Sequence, residues 1–110
     1  MTEKLFVYGT LAPGRPNEHI LKDVNGSWET ACVKGVLHNR GWGAEMGYPG
    51  IILDESADEI RGFIFTSEHL SSQWERLDEF EGDAYLRVLT KVKLENGDLE
   101  DASIYTLRSR

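Results

Sequence analysis

Apolar residues fall in short runs that are punctuated by glycine, proline, asparagine and aspartate, a pattern that predicts a chain built mainly of strands. The first run, Leu5 to Tyr8, breaks at Gly9 and is followed by Thr10, Leu11, Ala12 and Pro13-Gly14, so a strand is predicted to end at a turn with exposed backbone. Pro16-Asn17 reads as the entry to a short helix, with Asn17 as cap, Ile20 and Leu21 as its apolar side and Gly26 as its close. Between Trp28 and Leu37, the residues Thr30, Cys32, Val33 and Val36 predict a long strand that bulges or bends at Lys34-Gly35. His38 to Gly47 carries three glycines and reads as a flexible loop.

Tyr48-Pro49-Gly50 is a turn signal feeding a strand at Ile51-Ile52-Leu53, and Asp54 to Glu59 is an acidic surface connection. The run Ile60 to Thr66 is the most apolar strand. Its Phe63, Ile64 and Phe65 in succession predict burial on both faces, as in a closed sheet covered outside by a helix. Arg87 to Leu94 and Leu99 to Leu107 form a terminal hairpin around Asn96-Gly97, the strongest hairpin turn in the chain. Between these strands lies a helix. Ser67 or Ser72 is placed to cap it, Ser72 with Glu75 as a capping box, and Gly82 suits its C-terminal stop. Strands with short helical interludes, without repeat or low-complexity tract, make an α+β domain spanning residues 1–110.

Composition narrows the partners. With 40% hydrophobic and 28% charged residues the chain is an ordinary globular one, and its net charge of -7 disfavours a nucleic acid or an anionic membrane surface. Met1-Thr2-Glu3-Lys4 lacks the basic start and apolar core of a signal peptide, so a cytoplasmic location is expected. Cys32 is the single cysteine. In Ala31-Cys32-Val33 it reads as a small core residue rather than a catalytic thiol. His19, His38 and His69 are scattered without metal-site spacing, so neither metal nor cofactor is expected. Nothing in the sequence sets an oligomeric state.

Two stretches carry chemistry. At the Gly9-Thr10-Leu11 turn a ligand can approach the main chain, and successive N–H groups make a concavity that suits a carboxylate; a plain strand-to-loop junction is the alternative. In the helix, Leu70, Trp74 and Leu77 form an apolar stripe that reaches Glu81 four residues on. At about 100° per residue Glu81 falls near the centre of that face, Glu79 points roughly the opposite way, and Asp78 and Phe80 flank the stripe. A carboxylate aimed inward has a raised pKa, which general-base work needs; a last helical residue that frays into solvent is the other reading.

Phe6-Val7-Tyr8-Gly9-Thr10-Leu11, with Leu77-Asp78-Glu79-Phe80-Glu81-Gly82 and then Tyr85-Leu86-Arg87 about seventy residues on, resembles the γ-glutamylcyclotransferase-like family, especially its γ-glutamylamine cyclotransferase and AIG2-like branch. The likeness spans nearly the whole chain. It implies a small mixed β-barrel with short flanking helices, and a γ-glutamyl amine or amino acid as small-molecule substrate. It further implies that Tyr8, Gly9, Thr10 and Leu11 hold the glutamyl end and that Glu81 accepts the proton. Where γ-glutamylamine cyclotransferases carry Cys-Pro after the glutamate, this chain has Gly82-Asp83. Tyr85 and Tyr105 are candidate pocket hydroxyls, with core packing as their alternative role. The competing function is a non-catalytic module that binds a carboxylate metabolite or a partner protein in the same pocket.

Overall fold

The computed structural model describes residues 2–8, 21, 24–38, 50–82 and 85–107. Its elements are β1 (Glu3–Val7), β2 (Ser27–His38), β3 (Gly50–Leu53), β4 (Glu59–Ser67), α1 (Trp74–Glu81), β5 (Tyr85–Leu94) and β6 (Leu99–Leu107). Each apolar run predicts its strand to within about two residues, and β6 coincides with its run. Of the helix expected after Pro16-Asn17, Leu21 is described and is helical and fully buried, whereas Pro16 to Ile20, the turn at Tyr48-Pro49 and all of the 38–47 loop except His38 lie outside the described residues.

The sheet runs in the order β3-β2-β4-β1-β6-β5 and closes through a β2–β5 pairing at Ala31↔Leu94 and Cys32↔Lys93. Five strands therefore form a closed mixed barrel: β1 runs parallel to β6, and the other pairs are antiparallel. Closure removes sheet edges that would otherwise be open to another chain. β3 stands outside the ring. Strand β2 pairs with β4 from Ser27 to Lys34 and with β3 from Gly35 to His38, so the bend predicted at Lys34-Gly35 is a change of partner. The Asp54–Asp58 connection is tied there at both ends: Asp54 N–H donates to the Lys34 carbonyl at 3.1 Å, and Gly35 N–H to that of Asp58 at 3.2 Å.

Alternation along the strands divides the apolar side chains between two clusters. Phe6, Ala31, Val33, Ile64, Val92, Leu94, Ala102 and Ile104 come from all five barrel strands and fill its interior. Leu5, Val7, Phe65, Tyr105 and Leu107 point the other way, where Leu70 and Leu77 cover them. Ile64 and Phe65 are each 1% exposed on opposite faces, as the continuous apolar run of β4 requires, while Phe63 is half-buried. Gly62 lets β4 lie close to β1: a Cβ there would come within 2.5 Å of the Val7 carbonyl oxygen. At the hairpin Gly97 has φ 94°, and Asn96 Oδ1 accepts from Asp98 N–H at 2.9 Å. Among the described residues no helix is long and apolar enough to cross a membrane.

Candidate active site

Helix α1 is short, and tertiary contacts fix where it starts. The expected Ser72–Glu75 capping box does not form: the helix begins after Gln73, which makes no side-chain cap bond, and the Ser72 hydroxyl donates instead to the His69 carbonyl at 2.8 Å. That bond closes a 3-10 turn at Leu70–Ser72, held down by the fully buried Leu70. Ser67 does not cap the helix either. It ends β4, donates to the Asn25 carbonyl and accepts from His69 N–H at 3.0 Å. At the other end Gly82 has φ 81° and ψ -173°, a conformation that is essentially glycine-only, and its N–H donates to the Asp78 carbonyl at 3.0 Å. Strand β5 begins at Tyr85, whose N–H donates to the Gly82 carbonyl at 3.3 Å.

The stripe lies where 3.6-residue periodicity puts it. Leu77 is fully buried, Glu81 is 9% exposed, Asp78 and Glu79 are exposed, and Phe80 is half-buried. Burial pushes the Glu81 carboxyl up from 4.5 to about 7, so it sits near the midpoint of its titration at neutral pH. Tyr8, Tyr85 and Tyr105 surround this end of the barrel. Burial raises the Tyr8 and Tyr105 phenols; Tyr85 and then Glu81 raise Tyr8 further, and Asp78 and then Glu81 raise Tyr105. Both phenols are therefore protonated donors at neutral pH.

Their partners are specific. Tyr8 O–H donates to the Tyr105 carbonyl at 2.7 Å and accepts from Ile51 N–H at 3.0 Å, which ties the end of β1 to β6 and β3. Tyr105 O–H donates to Asp78 Oδ1 at 2.6 Å. Asp78 also receives both prongs of Arg87, Nε at 2.9 Å and Nη2 at 3.2 Å. Burial works to raise the Asp78 carboxyl, but the bonds from Tyr105 and Arg87 outweigh it and hold it below its usual range. The guanidinium lies 4.4 Å from the centre of the Trp74 ring, and Trp74 Nε1–H donates to Glu3 Oε1 at 2.9 Å. A cavity of about 370 Å³ opens beside this network, lined by Asp78, Glu79, Gly82, Tyr85, Arg87 and Tyr105 among others.

Sequence reasoning missed the Asp78–Arg87 pair and its ties. The i, i+4 spacing of Trp74 and Asp78 marks one helical side, yet only the return of β5 along the helix supplies the cation. Gly9, Thr10 and Leu11 lie outside the described residues. Cys32 departs from its expected burial: it is partly exposed, and its thiol is pushed up first by burial and then by Glu59, which suppresses the thiolate. It lies in a larger cavity of about 740 Å³, lined also by Glu59, Lys91 and Lys93, at the opposite end of the β5–β6 hairpin from Glu81. Among the described residues no group of three His, Cys, Asp or Glu side chains is placed to hold a metal ion.

Known structures share this architecture. YkqA from Bacillus subtilis superposes with a TM-score of 0.74 at 28% identity over 98% of this chain and 36% of that one, so the chain spans about a third of YkqA. An AIG2-like protein from Mus musculus gives 0.75 at 25% identity, covering 99% of this chain and 79% of that one. A gamma-glutamyl cyclotransferase at 18% identity, covering 99% of this chain and 68% of that one, gives 0.70, a likeness of fold alone. No curated protein sequence matches. A sequence model of the family described as gamma-glutamyl cyclotransferase, AIG2-like, matches residues 5–110, and the chain belongs to that family.

Proposed function

We propose that the protein is a γ-glutamyl cyclotransferase that closes a γ-glutamyl amine or amino acid to 5-oxoproline and releases the amine, with Glu81 as general base. The observation that carries this reading is the buried Glu81 carboxyl, raised to about 7 at the end of an otherwise apolar helical stripe. The family supports the reaction type.

The substrate carries its own nucleophile. Its α-ammonium loses a proton to Glu81, and the free amine attacks the γ-carbonyl carbon. As the five-membered lactam closes, the C–N bond to the leaving amine breaks, Glu81 returns the first proton to that amine, and the second proton, shed by the ring nitrogen, leaves the amine as an ammonium. Ring closure within one molecule already has a high effective molarity, worth up to about 7–11 kcal/mol in well-oriented systems, so orientation matters more than a protein nucleophile. In this reading the backbone N–H groups of Gly9, Thr10 and Leu11 hold the α-carboxylate and stabilise the developing oxyanion. Tyr8 in this reading fixes the chain where β1 ends, since its hydroxyl is engaged by Tyr105 and Ile51. Tyr85 and Tyr105 line a cavity beside Asp78 and Arg87 whose described lining does not include Glu81, and the Tyr105 hydroxyl is engaged by Asp78. A chain with one cysteine suits a reducing cytoplasm.

The test is a panel of γ-glutamyl amines and γ-glutamyl amino acids assayed for 5-oxoproline, with Glu81→Gln in parallel. Product formation that depends on Glu81 is the expected result. A panel without product, together with calorimetric binding of a γ-glutamyl compound, would replace the enzyme with the non-catalytic carboxylate-binding module.

A further inference from the structure

Helix α1 has only eight residues, lacks a side-chain cap at its start and buries little besides Leu77 and Glu81. Two turns are too few to hold themselves in water, so the helix axis is set by what grips it. Leu77 anchors the inward side. The opposite anchor is Asp78, next in sequence, which accepts three hydrogen bonds from two strands: two from Arg87 of β5 and one from Tyr105 of β6. Arg87 also stacks on Trp74, one turn earlier in the helix, so the same guanidinium holds both turns. Tyr105 reaches further, because its carbonyl receives the Tyr8 hydroxyl at the end of β1. One strand residue thus joins the helix that carries Glu81 to Tyr8, just past the end of β1.

We propose that Asp78, Arg87 and Tyr105 form a clamp of positioning residues that sets how deeply Glu81 is buried and where its carboxylate stands relative to Tyr8. This rests on the reading of Glu81 as general base. A bidentate guanidinium–carboxylate pair fixes distance and rotation together, whereas a lysine in the same place fixes neither. Among the described residues, the Glu81 charge acts on Tyr8, just past the end of β1, and on Tyr105 of β6, while Tyr85 of β5 acts in turn on Tyr8, and Asp78 and Arg87 act on Tyr105.

Two substitutions loosen the clamp without changing net charge: Tyr105→Phe removes one bond to Asp78, and Arg87→Lys removes the fork and the stacking. Any change at Glu81 then reports geometry rather than a lost field. The Glu81 carboxyl is followed by NMR pH titration, with Glu81→Gln to assign the signal, beside kcat and KM for 5-oxoproline formation. In the clamp variants the Glu81 midpoint is expected to fall by ~1 pH unit as water reaches the carboxylate. At the same time kcat is expected to fall ~10-fold with KM changed less than ~2-fold, because orientation of the base is lost and ground-state binding is not. A midpoint unmoved in folded Tyr105→Phe would overturn the clamp, even if Arg87→Lys failed to fold. Should the wild-type protein make no 5-oxoproline, the enzymatic reading fails alone, and the titration still decides whether the clamp sets the burial of Glu81.

Discussion

A single carboxyl has opposite effects on stability and on the proposed chemistry. In the folded protein Glu81 has its pKa raised from 4.5 to about 7, so below both values it is protonated in either state and costs nothing. As pH rises through the lower value the unfolded chain ionises first, and the penalty grows until the folded carboxyl ionises too, levelling at about 3 kcal/mol. Glu81→Gln keeps the shape and removes the charge. Its thermal midpoint is therefore expected to match wild type near pH 4 and to exceed it by at least ~4 °C at pH 8, since each kcal/mol moves a domain of this size by several degrees. Calorimetric scans at the two pH values check this. The same substitution should lower 5-oxoproline formation at least ~100-fold, whereas Glu79→Gln, on the exposed side of the helix, should leave rate and stability unchanged. In wild type kcat should rise with pH through about 7, as the base must be ionised to accept a proton. A rate independent of pH between 5 and 9 would remove Glu81 from the proton transfer.

At the level of elements, glycines place the motifs. Gly82 stops α1 in a backbone conformation that a Cβ disfavours although no atom of the described residues lies within 4 Å of where it would stand, so Gly82→Ala should lose ~1–3 kcal/mol through backbone strain. Gly62 is the reverse case. Its backbone shows no positive φ, but a Cβ would meet the Val7 carbonyl oxygen and Phe6 Cζ at 2.5 and 2.6 Å. The first contact is with backbone of the paired strand, so Gly62→Ala should force β1 and β4 apart and cost ~1–3 kcal/mol or more. Urea titrations measure both losses. They should differ in kind: amide exchange should quicken around Val7 and Phe63, which pair across β1 and β4, only in the Gly62 variant.

Across the whole molecule the barrel is held by one interior that all five strands share, and Ile104 on β6 is fully buried within it. Ile104→Ala leaves a cavity that no single strand can collapse to fill, so ~2–5 kcal/mol of stability should be lost. The loss should appear as one shifted transition, because closure makes each strand depend on both neighbours. Circular dichroism and tryptophan fluorescence are therefore expected to give the same denaturation midpoint. Separate midpoints would show that the helix and outer cluster melt apart from the barrel interior.

The local pattern of the sequence determined the strands, the hairpin at Asn96-Gly97 and the phase of the helix that buries Glu81, because periods of two and 3.6 residues register which side of an element avoids water. Gly82 was legible for the same reason, as a stop that needs no distant partner. Tertiary structure alone decided the parallel pairing of β1 with β6, the exchange of β4 for β3 along β2 at Gly35, and the partial exposure of Cys32. It also moved the helix start past Ser72 and brought Arg87 and Tyr105 onto Asp78. Each of these is a competition between residues far apart in the chain, settled by which strands close the barrel. Periodicity carries no information about that choice, since every amphipathic strand presents the same alternation to any neighbour.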